Sequence, residues 1–251
     1  MIRDPALAAS VHALFEWAGM AVGYALWRRA LQRQDGGSPL QPGRFAVLVG
    51  LLLGAGLGNK LVFMIERPDI ALRLWQGEAV WPGQSMVGGL LGGWIGVELA
   101  KALTGQTRST GDAMVLPLVW GIAIGRLGCL LAGLNDDTYG LPTALPWGLD
   151  LGDGVARHPA PLYEMLFLAA LAAGLQHTPP SWTPPPGWRF KCFACAYLLW
   201  RLVGDALKPV RVPYPFGLSG IQWVCVLALV VCGPLLWRAT RQPMSSAAAA
   251  T

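Results

Sequence analysis

Charge is what this sequence has least of. Only 13% of its 251 residues are Asp, Glu, Lys or Arg while 54% are hydrophobic, against about 25% charged in soluble domains. That balance excludes an ordinary water-solvated fold and requires an integral membrane protein. Histidine is rarer still. His12, His158 and His177 fall on separate segments and no Cys/His quartet exists, so the spacing offers no metal-ligand constellation. The five cysteines (Cys129, Cys192, Cys195, Cys225 and Cys232) sit inside apolar stretches, where a free thiol behaves as a small hydrophobe. Cys192-Phe193-Ala194-Cys195 has the spacing of a redox or zinc pair but lacks a second ligand pair. No basic nucleic-acid-binding module is present, and the net charge of +5 suits anionic lipid headgroups. An internal repeat and an independent soluble module are also absent.

What remains is a series of apolar stretches, each long enough for the roughly 17–25 residues of a bilayer crossing. They lie near 10–31, 44–65, 83–104, 112–134, 159–176, 188–207 and 217–238. The expected fold is an all-α membrane protein of seven transmembrane helices forming one domain over 1–243. A short extracytoplasmic segment near 135–158 and a disordered small-residue tail over 244–251 complete it. Arg3 and Asp4 precede the first stretch and Arg28, Arg29 and Arg33 follow it, the reverse of a cleavable signal peptide. The N-terminus is therefore expected outside and the C-terminus in the cytoplasm. Alternating spans from that start put ten Lys or Arg inside and six outside, in agreement with the positive-inside rule.

The other three cations, Lys60, Arg126 and Arg201, lie within spans. Counted along the helices, they sit roughly 17–23 Å from the inner ends, in the outer half of a core about 30 Å thick. Charges at that depth mark pathways or anionic ligands, and an arginine fork binds phosphate oxygens bidentately. The competing reading pairs each cation with a carboxylate, and Asp205 stands four residues after Arg201 on the same face. Tyr197, Arg201, Asp205 and Lys208 form one polar stripe on an otherwise apolar helix. Gly88 and Gly89 follow Pro82-Gly83-Gln84-Ser85. They serve either close helix packing or close approach of backbone to a ligand. Asp112 follows Ser109-Thr110-Gly111 and reads first as a helix cap.

Gly125-Arg126-Leu127-Gly128, His158-Pro159 with Leu162-Tyr163-Glu164, and Asp112 five residues before Pro117 appear in that framework. With Ser85-Met86-Val87-Gly88-Gly89-Leu90 and the Tyr197/Arg201 pair, they make the chain resemble the prolipoprotein diacylglyceryl transferase family. The resemblance implies transfer of diacylglyceryl from phosphatidylglycerol to the cysteine thiol of a lipoprotein precursor's lipobox, without a cofactor, in the bacterial inner membrane. It assigns Arg126 and Arg201 to the phospholipid headgroup. Where the family reads His-Gly-Gly, this chain has Val87-Gly88-Gly89, and the asparagine expected after Gly-Arg-x-Gly is Cys129.

Such a reaction needs a base for the acceptor thiol and positive charge for the departing phosphate. Asp137 and His158 are the expected bases, competing with a solvated turn at Asn135-Asp136-Asp137 and a plain helix start at His158-Pro159. Asp136 and Lys60 are expected near the phospholipid, and Glu164 is expected to orient an arginine. Two other readings stay open: a divergent transferase with another acceptor, and a non-catalytic phospholipid-binding or transport protein.

Overall fold

The computed structural model describes residues 2–35, 41–80, 82–136, 138–177, 183–210 and 212–241. The described residues are mostly helical, with α1 Pro5–Asp35, α2 Pro42–Glu66, α3 Pro68–Trp75, α4 Met86–Thr104, α5 Val115–Ala132, α6 Ala160–Gln176, α7 Trp188–Gly204 and α8 Gly220–Arg241. A two-stranded hairpin, β1 Leu149–Asp150 and β2 Ala156–Arg157, lies between α5 and α6, with Leu149 opposite Arg157. Five helices (α1, α2, α4, α5 and α8) are long and apolar enough to cross a bilayer by length and composition. Helices α6 and α7 have 17 residues each, at the lower limit for a span. The tail expected to be disordered and Asp137 lie outside the described residues.

Helix α3 is an element the hydropathy pattern did not announce. Pro68 fits its first turn because that turn has no use for a backbone N–H, and Asp69 favours the positive end of the helix dipole. Arg67 donates to both Asp69 carboxylate oxygens at 2.9 Å and holds that exposed carboxyl down at about 2.

Glycine decides how the long helices pair. Gly50, Gly54 and Gly58 run up one face of α2 and meet Gly96, Gly92 and Gly88 of antiparallel α4, each Cα hydrogen pressed against a facing carbonyl. A Cβ at any of the six would strike backbone. Gly19 of α1 and Gly121 of α5 make the same kind of crossing, and Gly128 lies against His12 and Phe15. With no hydrophobic drive between helices in lipid, this close backbone packing is what holds each pair together. Helices α6, α7 and α8 pack through side chains instead. One buried cluster joins Val119, Leu168, Phe193 and Tyr197, and another joins Val87, Leu198, Cys225 and Cys232. Val87 is completely buried there, held by apolar packing.

Two ends of the bundle are tied separately. At one end Asn135 donates to the Ile2 carbonyl, Leu141 N–H to Leu207 O, and Tyr214 to Ile65 O. At the other, Asp112 accepts from Gly187 N–H at 2.6 Å and Phe190 N–H at 3.0 Å. Asp112 is thus a helix cap, but for α7 across the bundle rather than for the helix it precedes.

Candidate active site

The site stands at the end of the bundle that carries the N-terminus. Helix α5 brings in Arg126, α6 brings Glu164, and α7 with the 3₁₀ turn after it brings Tyr197, Arg201, Asp205 and Lys208. Four of these lie on one stripe because i, i+4 spacing stacks side chains on a helix face. Arg126 Nε lies 2.9 Å from Glu164 Oε2, an ion pair whose N–H is not aligned for a hydrogen bond. Tyr197 donates its hydroxyl to Glu164 Oε1 at 2.7 Å. Arg201 Nη2 donates to both oxygens of Asp205 at 2.9 and 3.0 Å, and Lys208 Nζ reaches the same carboxylate at 3.0 Å. Arg126, Glu164, Arg201 and Asp205 are each 7% exposed or less.

In this contact network three cations face two carboxylates, a surplus of one positive charge in a buried setting. Glu66, which accepts from the N–H of Ile221, lies outside these direct contacts and adds a third carboxylate within electrostatic reach of Arg201. Arg201 Nε is buried without a hydrogen-bond partner among the described residues, and such a donor costs about 1–3 kcal/mol when left unsatisfied. Both features suit an anion. Beside the cluster a narrow pocket is lined by Tyr163, Glu164, Trp200, Asp205 and Lys208. Its volume of about 10 Å³ admits one water-sized group, so a phosphate must widen it.

The other expected residues divide. His158 adjoins the pocket through Tyr163, with Nδ1 3.3 Å from its hydroxyl, and that hydroxyl also accepts from Trp147 at 2.7 Å. The Lys60 amine donates to the carbonyls of Pro82 and Gly83 at 3.0 Å each and steadies the polar loop before α4. Gly88 is enclosed against Gly58 and accounts for helix packing, while Gly89 has only distant neighbours and lines a large cleft. Asp136 accepts from Thr138 at 2.7 Å and lies near Cys129 and His12. That grouping, joining positions more than a hundred residues apart, was not foreseen from spacing.

Below Arg126 a cavity of about 1150 Å³ runs between the α1/α5 and α2/α4 pairs. Met20 and Leu118 line one side and Leu48 and Leu51 the other, with Ile122 one turn before Arg126. Arg44, Lys101, Arg108 and Lys191 stand at its other end.

The fold and the site define a multi-pass helical membrane protein with a buried Arg–Glu–Tyr and Arg–Asp–Lys cluster above an apolar cleft. The model of one family, prolipoprotein diacylglyceryl transferase, matches residues 2–238. Proteins named phosphatidylglycerol--prolipoprotein diacylglyceryl transferase are similar along most of the chain. The Polynucleobacter asymbioticus protein is 31% identical over 77% of this chain and 75% of its own. The Geobacter sulfurreducens protein is 30% identical over 82% of each, and that of Bordetella parapertussis 30% over 97% of this chain and 95% of its own. The chain belongs to the prolipoprotein diacylglyceryl transferase family.

Proposed function

We propose that this protein moves the diacylglyceryl unit of phosphatidylglycerol onto the cysteine thiol of a prolipoprotein lipobox, with Arg126 and Arg201 holding the phosphate. The observation that carries the assignment of roles is the excess of one cation over the carboxylates in direct contact, together with an Arg201 Nε that has no hydrogen-bond partner among the described residues. The acceptor sulfur forms a bond to the terminal glyceryl carbon of the lipid as that carbon's bond to the phosphate oxygen breaks. The bonding electrons leave on the phosphate, glycerol phosphate departs, and the thiol proton passes to a base and then to solvent.

Each residue has a distinct part. Arg126 and Arg201 stabilise the charge that grows on the leaving phosphate, and a preorganised donor of this kind is worth about 10²–10³ in rate. Glu164 and Asp205 hold the two guanidiniums in place, and Tyr197 fixes Glu164. His158 takes the thiol proton on the side where Tyr163 borders the pocket, with Asp137 as the alternative base. The apolar cleft receives acyl chains. The N-terminus and the hairpin segment face outward, all seven long helices cross the bacterial inner membrane, and the C-terminus is cytoplasmic, as the cation distribution favours.

The test is transfer from labelled phosphatidylglycerol to a lipobox peptide by purified protein in nanodiscs. Labelling of the peptide cysteine is expected, with Arg126→Lys and Arg201→Lys slowed by at least about 10²-fold. Phospholipid binding without labelling would overturn the transferase reading and leave a lipid-binding protein.

A further inference from the structure

At the outer end of the α1/α5 crossing His12 meets Cys129 and Asp136, which follow it by more than a hundred residues. His12 Nε2 lies 3.6 Å from Cys129 Sγ, and a carboxylate oxygen of Asp136 lies within 4.8 Å of both. They come from three segments: α1, the last turn of α5, and the turn after it. The glycine at 128 lets α1 approach closely enough for this, since a Cβ there would press on Phe15 at 2.8 Å and on the His12 backbone at 3.3 Å. Glu16, one turn after His12, places Oε1 3.6 Å from the same imidazole nitrogen.

We propose that His12, Cys129 and Asp136 form a binding site for a thiophilic divalent cation of the zinc class, with Glu16 in reach as a fourth ligand. The donor set is one such an ion selects: an imidazole nitrogen, a thiolate sulfur and a carboxylate oxygen. Zinc bonds of about 2.0–2.3 Å in a tetrahedron put ligand atoms roughly 3.3–3.8 Å apart. The His12–Cys129 separation already meets that, and the carboxylate has only to turn inward. Binding displaces the thiol proton, after which thiolate and Asp136 carboxylate cancel the charge of the dication. The thiolate keeps a second partner, because Arg126 Nη1 approaches the same sulfur at 3.6 Å, the kind of outer contact that tunes a metal-bound ligand. An ion held there clamps α1 to α5 and engages one N–H of the arginine proposed to bind phosphate. The His12 and Glu16 side chains are 28% and 36% exposed, so protein atoms do not seal the site.

The experiment is a cobalt(II) titration of the purified full-length protein in detergent, read by absorption. Sulfur-to-cobalt charge transfer in the near ultraviolet with tetrahedral bands in the visible is expected at one equivalent, displaced by zinc. Cys129→Ser should abolish the charge-transfer band, and His12→Gln should weaken affinity about tenfold or more. A Cys192→Ser/Cys195→Ser double variant should leave the spectrum unchanged and so excludes the other thiol pair. Zinc should also raise the melting temperature of the wild-type protein, and not that of His12→Gln. A band that survives Cys129→Ser, one that vanishes with the Cys192/Cys195 variant, or no saturable binding by wild type would each overturn the proposal. None of these readouts depends on lipid transfer, so the site and the proposed reaction fail separately.

Discussion

At the scale of single residues the site is governed by the cost of burying charge. Arg126 and Glu164 each rely on the other, and removing one partner of a buried pair costs about 3–5 kcal/mol because the survivor stays uncompensated. Glu164→Gln is therefore expected to lower the thermal midpoint and to slow transfer. The Arg126→Gln/Glu164→Gln double variant should recover much of the stability while remaining inactive. Thermal unfolding in detergent beside a transfer assay checks this, and a double variant no more stable than the single would refute the pairing argument. Asp112 makes a separate case, because its carboxylate satisfies the backbone N–H groups of Gly187 and Phe190 at the start of α7. Asp112→Ala is expected to cost about 1–2 kcal/mol, the range for a lost helix cap, measured as a lowered midpoint of unfolding. The arginines were legible in the sequence because a charge interrupting an apolar run is conspicuous on its own. The partners of Arg201 were legible too, since i, i+4 spacing fixes them locally. The grouping of His12 with Cys129 was not, because it is created by a helix crossing that no local period encodes.

Elements raise a different question, namely which glycines hold helices together and which merely occupy space. Gly54 faces Gly92 across the α2/α4 crossing, whereas Gly56, two residues on, has open surroundings. Gly54→Ala forces the backbones apart and is expected to destabilise the pair. Gly56→Ala removes only flexibility and is expected to be neutral or stabilising by about 0.4–1 kcal/mol. Opposite shifts of the thermal midpoint would support this division, and equal shifts would refute it. The seven long helices follow from continuous apolar stretches, so their existence was legible without any knowledge of contacts. Helix α3 was hidden because eight residues carry too little periodicity to separate a helix from a loop. Both glycines look alike in sequence, and only the facing helix distinguishes them.

For the whole molecule the decisive feature is that two tightly seamed helix pairs leave a wide cleft between them. Within each pair backbones touch, but between the pairs a cavity of about 1150 Å³ remains, beyond the roughly 300–1,000 Å³ typical of ligand pockets. Its walls are apolar near Ile122 and reach to within one turn of Arg126, a layout suited to acyl chains below a phosphate-binding cluster. Filling the cleft from opposite walls with Met20→Trp and Leu48→Trp should therefore act on the lipid and not on the acceptor. Each methylene denied burial costs about 0.8 kcal/mol, so excluding two raises KM for long-chain phosphatidylglycerol about tenfold. The KM for the lipobox peptide should stay unchanged. Short-chain phosphatidylglycerol, with too little hydrocarbon to reach the substituted positions, should be transferred at the wild-type rate. Equal impairment with long and short chains would mean that the substitutions disturb the arginine cluster through the helices, and the acyl-chain role of the cleft would have to be abandoned.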